Sequence, residues 1–143
     1  MEALLLTVHI FAAAVWVGAS LYAGFSYPRH AGNGTLRGVI AVDQKLGSIV
    51  IGSAIGVVLL SGVGLVMVSD VFGFGHAFVL IGIGAIVVSS VAEVVVFGPA
   101  TQRTAEAEAA GSTTIDPVFR WAPLVYLALF GFTIWAMVVK LGL

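Results

Sequence analysis

LGSIVIGSAIGVVLLSGVGLVMVS, residues 46–69, contains no Asp, Glu, Lys, Arg or Pro, and its apolar residues run on without the alternation of a half-buried strand. A helix needs about 20 such residues to cross about 30 Å of hydrocarbon, whereas a barrel strand shows about 9 to 11 alternating ones. The stretch therefore reads as a membrane-spanning helix. Three further segments read the same way, at 2–26, 72–98 and 117–141. The expected fold is all-α, a four-helix transmembrane bundle forming one domain over residues 1–143.

Composition agrees with this and excludes other classes. The chain is 60% hydrophobic and 9% charged, against about 25% charged in soluble domains, so the lipid bilayer is its first expected partner. Six Lys and Arg face seven Asp and Glu, which leaves no basic excess for binding nucleic acid through phosphate contacts. With no Cys, disulfides, thiolate metal sites, iron–sulfur clusters and thioether-linked haem are excluded. Any metal or cofactor must be held by His, Met, carboxylate or backbone.

Charge outside the apolar runs sets an orientation. Arg29, Arg37 and Lys45 fall in the segment 27–45, Arg103 in 99–116 and Arg120 just beyond it, with Lys140 alone at the other side. The positive-inside rule puts both loops in the cytoplasm and both termini outside a multi-pass cell-membrane protein. The first segment lacks a basic leader and exceeds a signal-peptide core, so it is expected to remain as a span. TAEAEAAGSTTID reads as a mobile surface loop that ends where Asp116 can cap, and Pro117 open, the fourth helix. His30 is expected in a turn of the first loop. Trp121 and Tyr27 fit one interfacial aromatic belt, and Trp135 with Phe72 to Phe74 the other.

Small residues mark faces where helix backbones approach closely in lipid. Such rows predict inward faces of His9, Ala12, Ala13, Trp16 and Ser20 in the first helix and Ser48, Gly52 and Gly56 in the second. Met67 is about 20° from Gly56 on the wheel and shares that row. The third helix gives Gly82, Ala85, Ser89 and Glu93, and the fourth Tyr126, Phe130, Thr133 and Met137.

Four kinds of residue on these faces bear chemistry. His9, about 10 Å below the outer surface at 1.5 Å per residue, must bond something in lipid. It is a haem or copper ligand, or a structural His bonded to Thr133, Tyr126 or a neighbouring carbonyl. Met67 and Met137 lie in the outer third and can converge with His9 as soft ligands for Cu(I), or supply a Met partner in an axial haem pair; equally, Met fills apolar cores. His76, at nearly the depth of His9, is a candidate second haem ligand, although Ala85 stands about 180° around the wheel from it. Trp16, mid-membrane, stacks on a flat cofactor or simply packs. Glu93, a buried ionisable group about 8 Å inside the cytoplasmic end, must be paired or protonated. Lys45 and Arg120 are within snorkelling reach of it, and a proton relay is the functional alternative.

The run His9-Ile-Phe-Ala-Ala-Ala-Val-Trp16-Val-Gly18-Ala-Ser-Leu-Tyr22, with Tyr27-Pro28-Arg29 after it, resembles the opening of a broad group of small four-helix membrane proteins. The group includes CopD-like copper proteins and HemJ-type protoporphyrinogen oxidases. The resemblance implies haem or metal ligation at His9. HemJ-type proteins carry a Lys in the third helix, and no Lys or Arg occurs here between Val71 and Pro99. CopD-like proteins have more helices, so only their core is matched.

The leading expectation is a b-type haem with His9 as axial ligand and His76 or Met67 as the second, serving electron transfer or porphyrin redox chemistry. Haem would give a bundle with no hydrolytic triad, phosphate loop or carboxylate pair a reactive centre. The alternatives are copper handling through His9, Met67 and Met137, and a non-catalytic subunit of a larger membrane complex. Small-residue faces and scant extramembrane mass also suit a homo-oligomer or association with partner membrane subunits.

Overall fold

The computed structural model describes residues 1–30, 35–71 and 73–139. Among these are four helices long and apolar enough to cross a membrane, α1 (Glu2–His30), α2 (Leu36–Val68), α3 (Ala77–Ala109) and α4 (Val118–Val139), and no strand. The protein is an all-α four-helix bundle of membrane-spanning type. Phe72, Lys140 and the expected helix end at 141 lie outside the described residues.

The helices extend beyond their apolar cores. α1 continues to His30, so that residue closes a helix instead of sitting in a turn; its Nδ1 is 2.9 Å from the Ser26 carbonyl. α2 starts at Leu36 rather than 46, and α3 runs over Ala77–Ala109 rather than 72–98. Most of the loops expected at 27–45 and 99–116 is thus helical. TQRTAEAEAA is polar but composed of good helix formers, and it winds on from the span because propensity, unlike hydropathy, does not stop at the lipid surface. At 33 residues each, α2 and α3 rise about 50 Å, well past about 30 Å of hydrocarbon.

Local signals fix the ends. Gly111 has φ +77°, and the N–H groups of Ser112 and Gly111 donate to the carbonyls of Ala107 (2.9 Å) and Glu108 (3.0 Å). That is a Schellman stop, which requires a left-handed residue. Asp116 caps α4 as expected, its Oδ1 accepting the Val118 N–H at 3.0 Å. The Glu108 carboxylate accepts the N–H groups of Leu36 (3.3 Å) and Arg37 (3.0 Å), so the end of α3 caps the start of α2. Each long helix contains one widened π-type turn, Asp43–Gly47 in α2 and Glu93–Phe97 in α3.

α1 packs along both α2 and α4, and α4 packs along α3. α2 and α3 are consecutive in sequence yet meet chiefly at their loop-side ends, where Leu36–Val42 touches Gly98–Ala109. Two cores result. Trp16, Ala54, Tyr126 and Phe130 fill the middle of the spans, and Tyr27, Leu36, Ile40, Ala100 and Phe119 form a second core at the loop end. Tyr27, expected in an interfacial belt, is buried there edge-on to Phe119 with centroids 5.4 Å apart. Trp121, Trp135 and Phe74 are exposed, as belt residues should be.

The inward faces of α1, α3 and α4 follow the expected rows: Ala12, Trp16, Gly82, Ala85, Ser89, Tyr126, Phe130 and Thr133 are all buried. α2 differs. Its buried stripe is Ala54, Val58, Ser61 and Leu65, while Ser48 and Gly52 are exposed and a Cβ at Gly52 or Gly56 would meet open space. Both rows have helical spacing, and the one turned to α1 is the one holding a polar atom opposite His9.

Candidate functional site

Glycine makes the His9 site possible. A Cβ at Gly62 would stand 3.2 Å from His9 Cε1, so the bare backbone of α2 lets the imidazole lie against it. Two partners meet the ring's Nδ1: the Val58 carbonyl at 3.1 Å and Ser61 Oγ at 3.0 Å. Ser61 sends its own proton to the Val57 carbonyl at 2.5 Å, with the Val58 carbonyl at 3.2 Å, so towards His9 it accepts. Both partners of Nδ1 are acceptors, and Nδ1 therefore carries the hydrogen. The Nε2 lone pair makes no hydrogen bond among the described residues. A ring held through Nδ1–H to a carbonyl with Nε2 available is the arrangement that orients metal-binding histidines. The carbonyl partner was among the sequence expectations, whereas Thr133 bonds its own helix at Leu129 and Tyr126 turns to Glu93.

The other candidates lie elsewhere. His76 precedes α3 and folds back on the turn before it, its Nδ1 2.8 Å from the Gly73 amide nitrogen and 3.0 Å from the Gly73 carbonyl oxygen while its ring stacks on Phe78 at 5.8 Å. Met67 is 77% exposed, because the stripe it shares with Gly52 and Gly56 faces away from α1. Met137 is half-buried against α3, with its Cε 2.8 Å from where a Gly82 Cβ would stand. His9 thus lies against Gly62 of α2 and Met137 against Gly82 of α3. No group of three or more His, Asp or Glu suited to a metal occurs among the described residues.

Trp16 is buried and already engaged, edge-on to Phe130 at 4.9 Å. Phe130 stacks on Tyr126 at 5.5 Å and Tyr126 on Phe97 at 5.0 Å. This aromatic column fills the middle of the bundle.

Glu93 is exposed in the single chain rather than buried, because α2 does not close over this part of α3. Its Oε2 accepts the Tyr126 hydroxyl at 3.4 Å, in place of the Lys45 or Arg120 partner expected; Arg120 lies over the Trp121 ring, 5.7 Å from its centroid. Sequence reasoning missed Asp43, which opens the π turn of α2. Its Oδ2 is buried with no hydrogen-bond partner among the described residues. A carboxylate between two apolar runs was the available signal, hidden by assigning 27–45 to a loop.

Outside the spans the electrostatics are conventional. Arg103 Nε donates to Asp116 Oδ2 at 2.8 Å. The Val118 N–H and then Arg103 hold the Asp116 carboxyl below its ordinary range. Comparison with family models, curated proteins and solved structures finds no match for this chain.

Proposed function

We propose that this chain is a membrane subunit that supplies His9 Nε2 as an axial ligand to a haem b serving electron transfer or porphyrin redox chemistry. The observation that carries the reading is the Nδ1–H tether to Val58 and Ser61, which turns the ligating nitrogen outward from its anchor. His9 fits the group; His76, with its Nδ1 against Gly73, and Met67, 77% exposed in the single chain, are its candidate partners. When bound, such a haem supplies one-electron chemistry that no side chain here offers. Val58 and Ser61 keep the ring oriented.

Haem titrated into the purified protein should give a shifted Soret band that is lost in His9→Ala and kept in Met67→Leu and Met137→Leu. A Soret response indifferent to His9 would overturn the reading.

The outward row Ser48, Gly52 and Gly56 favours a second reading, a non-catalytic subunit whose α2 lies against a helix of a partner. It predicts loss of co-purifying subunits in Gly52→Leu and no effect of His9→Ala. In either case we place the loop-side end, bearing Arg29, Arg37, Lys45, Arg103 and Arg120, in the cytoplasm of a cell-membrane protein.

A further inference from the structure

We propose that the loop-side end of the seam between α1 and α4 binds one anionic phospholipid, with its phosphate between Arg29 and Arg120. An open cleft of about 750 Å³ lies there, its walls taken from the end of α1 and the start of α4. The two arginines reach it from different helices, and both are exposed. Its floor is apolar: Phe25 is 52% exposed and Leu124 56% exposed, and both line the cleft beside Pro28 and Pro123.

The floor exists because Gly24 lets α4 come close. A Cβ at that glycine would be 3.2 Å from the Pro123 ring, so the two helices touch beside the cleft. Arg120 is steadied over Trp121, a residue 59% exposed and suited to the headgroup level. Asp116, the one acid lining the cleft among the described residues, is answered by Arg103 at 2.8 Å and by the Val118 N–H at 3.0 Å. Two cations over an apolar trough match a phosphate above an acyl chain, and basic pockets between membrane helices recognise lipid headgroups in this way. A soluble anion would leave the apolar floor unused, which is why the occupant is a lipid.

Native mass spectrometry of the full chain, exchanged against equal amounts of phosphatidylglycerol and phosphatidylcholine in detergent, tests this. One phosphatidylglycerol should be retained in preference. Arg29→Gln and Arg120→Gln should each weaken retention about fivefold, and together about 25-fold, at about 1 kcal/mol per basic side chain. Arg37→Gln, outside the cleft, should have no effect. The Arg29→Lys, Arg120→Lys pair keeps the charge and should keep most of the preference, separating recognition from folding. Equal retention of the two lipids, an unaltered double Gln variant, or displacement by millimolar inorganic phosphate would each overturn the assignment.

Discussion

His9 and Gly62 are a pair, one ring against one missing side chain. With His9 Cε1 3.2 Å from the place of a Gly62 Cβ, Gly62→Ala should push the ring from its carbonyl and cost about 1 kcal/mol. Gly52→Ala, with open space at its Cβ, should instead stabilise the helix by up to about 1 kcal/mol through propensity. Thermal unfolding in detergent, followed by circular dichroism, reads both. Shifts of the same sign would contradict the assignment of the two faces. Half of this site was legible in the sequence, since an imidazole in an apolar run must find a partner. The other half was not, because the partner is a backbone carbonyl and a carbonyl leaves no mark on residue type. Met67 was misplaced for a related reason: small residues show where a helix permits close approach, not which neighbour makes it.

At the scale of elements, hydropathy located all four spans and missed the ends, because it measures only what lipid accepts. The Glu residues of AEAEAA at 105–110 hold that stretch below the hydropathy of a span, yet both its residue types are good helix formers. Their stop at Gly111 uses a φ of +77°, so Gly111→Ala should cost about 1 kcal/mol. Glu108→Ala should free the N–H groups of Leu36 and Arg37 now bonded at 3.3 and 3.0 Å, costing about 0.5 to 2 kcal/mol as lost caps do.

Asp116 adds a pH dependence. Its carboxyl is held low by the Val118 N–H and Arg103, so its contribution is present above the ordinary carboxylate range and fades as pH falls through its lowered value. Asp116→Asn should flatten the acid limb of stability measured from pH 7 downward. A limb of unchanged steepness would show that this cap does not govern it. The π turns at Asp43–Gly47 and Glu93–Phe97 had no legible signal, since one extra residue in a turn preserves both propensity and hydropathy.

For the whole molecule the order α2, α1, α4, α3 matters more than the helix count. α1 and α4 are covered on both sides, while α2 and α3 meet mainly through the loop-end core. Leu36 is fully buried in that core, and Leu36→Ala should cost about 2 to 5 kcal/mol, loosening the α2–α3 contact before the mid-span aromatic column. Hydrogen exchange should show Leu36–Val42 losing protection first. Because the chain has no Cys, single substitutions report orientation cleanly. Ser112→Cys should resist an impermeant maleimide in intact cells and Asp70→Cys should react; the reverse pattern would invert the proposed topology.

The account rests on the proton of His9. Nitrogen-15 solid-state NMR of histidine-labelled protein in bilayers, assigned with His9→Ala, reads it directly. His9 is expected as the Nδ1–H tautomer, with an unprotonated Nε2 that shifts when haem is added. A hydrogen on Nε2, or an Nε2 signal unmoved by haem, would contradict it.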